Sequence, residues 1–590
     1  MHDELFLNTM QSFDFDTEIE KSKAEKSAAA PENYVAVPVA PGESVASAAL
    51  DLTSGSYNRL SAAAVSGGGT GTATVTGNVS ATLSGVTANF LFLTNDSANS
   101  KLTVNGSVTL NDTNGSYGSV FVGGVNASGA AVNGVSVTLT GTTITSAFYG
   151  NGMSSNAAAA TAISFTGVTA GGNVFGGAGS YNFATVCGDI SLTIASGTYT
   201  AQIFGGSRIA GDQNTGLTSQ VGAVTLNLNG GTFSNYIFAG GCGVGYGLFD
   251  SGVFTSQVTG GTTINLNGAV INHELYAGGF GAADQNYSAA RGAATVNYGT
   301  TVTAKSGSVV NLYGGGYCSG LSSTVYGGAN ITVSGLGFRQ GTTPLTIGTV
   351  YGGGNGSGLA ADGSSIVEGG TVITIGGNVL TANVITVKNV YGGGNGAASA
   401  VTGGSRIIFA GNFTGKNADK LSVTGVVSGS GRNGGTVTGT KSLEFNDFQG
   451  NVDARIMNFD TITTDGYTEA AFTRAADLAA VEKVNFNFSQ SEPLDGASPV
   501  LEFASGVAFS DSTKFSLEFQ ARAAKSGDYT LIFSADTLEL TGNSYTLTDS
   551  LYGDSFSATL GDGTFWSYYG FDISMRQSGN NLLLSCTAQA

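Results

Sequence analysis

The sequence predicts an all-β protein, a parallel β-helix (β-solenoid) with a β-rich C-terminal cap. Three observations carry this. An apolar-aromatic-Gly-Gly signature recurs down the chain, a Gly-bounded strand motif recurs between its copies, and the charge is distributed in three blocks. Of 590 residues, 93 are Gly, 6 Pro, 4 Cys and 1 Trp, and only 11% are charged. Hydrophobic residues reach 41%, enough for a long core. Gly does not recur at every third position, which excludes collagen. No run of about 18 apolar residues marks a transmembrane segment. A formal charge of −18 argues against binding nucleic acid, which needs a basic face.

Residues 1–60 carry ten carboxylates against four Lys or Arg, 61–440 ten of each, and 441–590 twenty against eight. These blocks define an acidic leader, a neutral Gly-rich body and an acidic C-terminal part. The leader lacks the basic start and apolar stretch of a secretory signal, since Asp3 and Glu4 come at once. It is expected to be disordered, or to serve export or anchoring; Asp16–Ala30 allows a charged helix.

In the body the signature appears around Phe121, Phe148, Phe175, Phe204, Phe238, Tyr276, Tyr313, Tyr351 and Tyr391, at spacings of 27, 27, 29, 34, 38, 37, 38 and 40. Repeats of about 27–40 residues follow. Between them lie Gly260-Gly261-Thr262-Thr263-Ile264-Asn265-Leu266 and its counterparts at 327–335, 369–377 and 403–411, alternating with period two. Such strands cannot bury their apolar face alone, so successive coils stack. A 38-residue unit is expected to make two coils of about 19 residues. The Gly pairs are expected at sharp turns with φ > 0, and the aromatics to stack, facing inward or outward.

The VYGGGNG copies at 350–356 and 390–396, with their GGTxIxI partners, resemble the parallel β-helix passengers of bacterial autotransporters and related large surface adhesins. The resemblance covers about 100–440 and implies a secreted or bacterial cell-surface solenoid. The chain ends Leu582-Leu583-Leu584-Ser585-Cys586-Thr587-Ala588-Gln589-Ala590, without the membrane β-barrel of that family.

Residues 441–590 show longer, more aromatic strands, such as Val484-Asn485-Phe486-Asn487-Phe488, and a helix turn or two over Thr473–Glu482. A cap over the open solenoid end, or a continuation of the solenoid, is expected.

Little chemistry is visible. No Asp follows the GGxGx copies where calcium-binding repeats need one. Gly429–Gly434 matches GxGxxG, but a strand pattern follows instead of a helix. His273 and Glu274 read as a solvated pair. The isolated carboxylates are Asp189, Asp212, Asp250, Asp284, Asp362 and Glu368; three of them, Asp212, Asp250 and Asp284, could share one face, as a polysaccharide-cleaving groove would require. Cys187, Cys242, Cys318 and Cys586 lack CxxC spacing, and Cys242 and Cys318 fall two repeats apart, beyond disulfide reach. No catalytic, cofactor-binding or metal-binding residues are assigned, and no cofactor is expected. The expected function is a non-enzymatic structural or adhesive rod. Its partner is a cell-surface, matrix or glycan ligand, or copies of itself, met by the turns Tyr246–Phe254, Gln285–Arg291 and Leu359–Ile366. The alternatives are a tailspike-like or lyase-like polysaccharide-processing β-helix and a self-assembling filament subunit.

Overall fold

The computed structural model describes residues 34–589, apart from 66–70, 98–99, 126–130, 154–155, 158, 212–215, 246–251, 284–291, 338–340, 357–362, 378–382, 489–497, 521–524 and 541. Among these residues there is no α-helix, only one 3-10 turn at Gly415–Asn417. The strands pair in parallel over most of the chain. They divide into two compact units, one of Met1–Val302, Tyr313–Gly328 and Gly354–Ile366, the other of Thr303–Leu312, Ala329–Gly353 and Val367–Ala590.

In the first unit, Ala48–Leu52, Val79–Ser84, Val108–Thr113, Val135–Thr140, Thr161–Thr166, Ile190–Ile194, Val224–Leu228 and Thr262–Tyr276 pair one onto the next. Alternation sets their register. Leu50, Ala81, Leu110, Val137, Ile163, Leu192, Leu226 and Ile264 form one buried column, and a one-residue slip would turn all of them outward. Outside, polar residues stack in register: the Asn265 amide donates to Asn227 Oδ1 at 2.8 Å, across a separation of 38 residues.

That separation corrects the expected coil. Val224 pairs directly with Thr262, so the whole 38-residue repeat is laid down in a single layer rather than two. Sequence spacing alone does not say how many strands share a layer; the register does.

The aromatic strands form a second series. Phe92, Phe121, Tyr149, Phe175, Phe204, Phe238 and Tyr276 are register partners, and Tyr313 continues their ring stack. Centroid separations of 4.6–5.4 Å match the strand spacing. In the second repeat the ring in the column is Tyr149, not Phe148. Phe148 lies on the opposite side of its strand, edge-on to Phe165 at 5.1 Å in the main core.

Both faces of these strands are therefore buried. The reason is a further sheet of Gly179–Tyr181, Arg208–Gly211, Cys242–Gly245, Phe280–Ala283, Tyr317–Cys318 and Asn355–Gly356, for which the sequence reading assigned no strand. Phe280 approaches Phe238 at 5.5 Å, and Tyr317 approaches Tyr276 at 5.8 Å. Parallel pairing also begins early. Tyr34–Val39, within the acidic leader, pairs with Gly55–Val65, which runs from the leader into the body.

In the second unit, Ala329–Val333, Thr371–Gly376, Ser405–Asn412, Lys441–Val452, Thr461–Asp465, Lys483–Asn487, Lys514–Phe519 and Ser544–Asp549 continue the same pattern among themselves. Tyr351 and Tyr391 stack at 5.3 Å, and Tyr351 is 2% exposed. Antiparallel pairing begins only with Ser555–Thr559 on Ser544–Asp549 and Asn581–Ala588 on Gly527–Ser534. Thr473–Glu482 contains no helix turn. Its backbone follows the neighbouring layer, with Ala476 bridged to Ile456 and Leu478 and Val481 buried.

Candidate binding surface

The two recurring motifs are joined by hydroxyls. A Thr or Ser just after a turn glycine donates to a backbone carbonyl: Thr262 to Ala277 at 2.6 Å and Thr300 to Gly314 at 2.6 Å in one unit, Thr371 to Gly392 at 2.7 Å and Ser405 to Gly429 at 2.6 Å in the other; in the first three the carbonyl directly follows an aromatic residue. A second ladder joins Ser256 to Ser207, Ser323 to Gly279 and Ser365 to Gly316 through their carbonyls, at 2.7–2.9 Å. In the second ladder the hydroxyl adds a second hydrogen bond to its carbonyl, since Ser207, Gly279 and Gly316 also accept the backbone N–H groups of Cys242, Tyr317 and Asn355 at 2.9–3.0 Å.

The glycines have two separate uses. Gly261, in the GGT motif, takes φ of 84°, as expected of a turn. Gly316, in the aromatic motif, is not in that region. It is glycine because a Cβ would run into the Ser323 hydroxyl and the Gly279 backbone. In Gly429–Gly434 the following element is the strand Thr436–Thr438, paired to Ala400–Thr402, so no helix N-terminus faces a phosphate there.

Of the candidate carboxylates, Asp189 and Glu368 lie among the described residues. Asp189 is exposed and accepts the Ala223 N–H at 2.8 Å, a turn-holding role. Glu368 is exposed at the end of Ser364–Glu368. Asp212, Asp250, Asp284 and Asp362 lie outside the described residues, as do most residues of the expected recognition turns. His273 is half-buried rather than solvated, its ring 3.9 Å from that of Tyr236. Glu274 accepts the Tyr276 hydroxyl, which in turn accepts from the Asn355 amide at 3.1 Å. This pair braces the ring stack.

Sequence reading passed over Asp112, a carboxylate 2% exposed. It accepts from the Tyr117 hydroxyl at 2.8 Å, the Thr142 hydroxyl at 2.5 Å and the Gly115 N–H at 3.1 Å. Burial pushes its pKa up, and these three donors oppose the rise. The turn sequence Asp112-Thr113-Asn114-Gly115 was the available signal.

All four cysteines are buried free thiols. Burial pushes Cys242 up to about 12 and Cys318 and Cys586 up to about 11, so they stay protonated and inert at neutral pH. Cys242 is level with Phe280 and Cys318 with Gly281, so they occupy adjacent columns in different layers. Among the described residues no three His, Cys, Asp or Glu come close enough to hold a metal ion, and no helix is long and apolar enough to cross a membrane.

What the first unit offers outward is aromatic. Tyr298 is 84% exposed and holds φ of 60°. The pairing of Val258, Val296 and Val325 places it level with Gly260 and Gly327, so it stands where neighbouring repeats have glycine. Tyr326, on the next layer and one position earlier, is 43% exposed. A bulky left-handed residue without packing return is strain that folding alone does not explain. No protein-family model and no curated protein matches the chain.

Proposed function

We propose that the chain is a non-enzymatic β-solenoid, secreted or displayed on a bacterial cell surface, where it spaces or adheres. The observation that supports this best is the in-register parallel pairing, in which each repeat adds one layer and places its outward side chains over those of the repeat before. Such a scaffold multiplies one surface pattern by repetition, and its lateral connections are the natural place for recognition. Exposed Tyr298 and Tyr326 suit the face of a sugar or an apolar side chain of a cell-surface or matrix ligand. The antiparallel strands after residue 549 suit a cap, because they end the run of parallel edges. The resemblance of the VYGGGNG copies to autotransporter passengers agrees with display outside the cell.

Protease shaving of intact producing cells tests the reading, with separate antibodies against the body and the C-terminal part. Loss of the body signal from sealed cells is the expected outcome. Full protection, with no protein in the medium, would overturn surface display.

A further inference from the structure

An antiparallel hairpin of the second unit and its flanking turns bring together Tyr552, Phe565 and Tyr569, three of that unit's four described exposed rings, the fourth being Tyr467. Trp566–Tyr568 turns through Tyr569 (φ 50°) and Gly570 (φ 78°) into Phe571–Ser578. Trp566 stacks on Tyr568 at 4.1 Å, with Phe556 parallel to it at 6.4 Å. Tyr569 lies edge-on to Tyr568 at 4.6 Å and faces Tyr552 at 6.2 Å. Tyr552 and Tyr569 are 57% and 47% exposed. Isolated exposed rings are ordinary; a contiguous set on one hairpin and its neighbouring turn marks a contact surface.

Charge says what kind of contact. From Gly527 to Met575 the sequence holds seven carboxylates, Asp528, Asp536, Glu539, Asp549, Asp554, Asp562 and Asp572, and no Lys, Arg or His. Arg576 pairs with Asp528. Two of the others reach the rings directly: the single proton of the Tyr568 hydroxyl is shared between Asp554 at 2.7 Å and Asp549 at 3.1 Å. Asp562 is held by the Thr559 and Thr564 N–H groups at 2.9 and 2.8 Å, which favour its ionised form. A neutral ligand laid on these rings would leave their negative field unbalanced. A guanidinium or ammonium group gains twice, over the ring faces and beside the carboxylates.

We propose that this aromatic, anionic face of the C-terminal hairpin docks a Lys/Arg-rich segment of a partner protein, with the cationic side chains lying over Trp566, Tyr552 and Tyr569. The site is independent of surface display. It stands if the protein proves to be intracellular.

The single Trp of the chain makes the test direct, because its fluorescence reports on this face alone. The full chain is titrated with a ten-residue Arg/Gly peptide, with the same peptide carrying Glu for Arg, and with cellohexaose. The expected result is a saturable change with the Arg peptide only, weakening several-fold as salt is raised from about 0.05 to 0.3 M. Tyr569→Asn keeps the left-handed turn, and Asp554→Asn keeps the residue's shape. Each is expected to weaken binding about five- to ten-fold at an unchanged melting temperature. A response to cellohexaose and not to the peptide would reassign the face to glycans and overturn the proposal. So would a response driven by protein concentration alone, with dimers in sedimentation, because a second copy would then cover the rings. Wild-type affinity in both variants would overturn it too.

Discussion

Gly316 and Tyr298 are opposite solutions at single backbone positions. At Gly316 the Ser323 hydroxyl reaches across to the Gly279 carbonyl at 2.9 Å, leaving no volume for a methyl group. Gly316→Ala is expected to cost about 2–3 kcal/mol, because the hydrogen bond or the layer spacing has to give. Urea denaturation gives the value, and an unchanged midpoint would contradict the close-approach argument. Tyr298 carries a strain its packing does not return. Tyr298→Gly is expected to stabilise by about 0.5–1 kcal/mol, and Tyr298→Ala to gain nothing, since any Cβ suffers at φ of 60°. Asp112 gives a pH effect with a definite sign. Its folded pKa lies above the unfolded 3.8, so the folded state binds the extra proton. Its contribution is fully present below about pH 3.8 and is lost as pH rises from there through the folded value. Asp112→Asn is expected to flatten that part of the stability curve, and thermal melts of both proteins from pH 3 to 8 would show it.

At the scale of the element, the ring column and the hydroxyl ladders do different work. Tyr276 is sandwiched between Phe238 at 4.9 Å and Tyr313 at 4.6 Å. Tyr276→Ala removes a ring from the middle of the stack and is expected to cost about 3–5 kcal/mol. Tyr276→Phe keeps the stack but loses the hydroxyl between Glu274 and Asn355, which is worth about 1–2 kcal/mol. Equal losses in the two variants would mean that the hydroxyl, not the stacking, sets the stability here. A strand such as Ile203–Phe204 is two residues long and is stable only because Asn173–Phe175 and Ile237–Phe238 lie on either side of it. Its apolar pair is buried on both faces, which a strand with one solvated face would not allow.

At the scale of the whole molecule, cohesion comes from apolar columns and neutral hydrogen bonds, with few ions taking part. The five described ion pairs include only one, Arg59 with Asp96, in which both side chains are largely buried. Chelation of divalent cations is therefore expected to leave the melting temperature unchanged, and added calcium to shift it by nothing measurable. A calcium-dependent rise would contradict this account of cohesion.

The strand period, the all-β class and the turn glycines of the GGT motif were legible in the sequence because they are local. Period-two alternation and φ > 0 concern one residue and its immediate neighbours. Asp112 was missed because its partner Thr142 comes from the next repeat, 30 residues on. Phe148 and Tyr149 were indistinguishable by sequence because both are aromatic; only register with Phe121 and Phe175 selects Tyr149. Beyond residue 440 the sequence left a cap and a continuation both open, because the step shortens, Ser442 to Thr461 taking 19 residues where Ser405 to Lys441 takes 36, while the apolar column persists. The sequence by itself determined what each strand is and which way its side chains alternate. The tertiary structure alone decided how many strands share a layer, that a further sheet buries the aromatic face, and which rings stay exposed. Those outcomes depend on pairing between residues tens of positions apart, and a single chain's local pattern does not encode that distance.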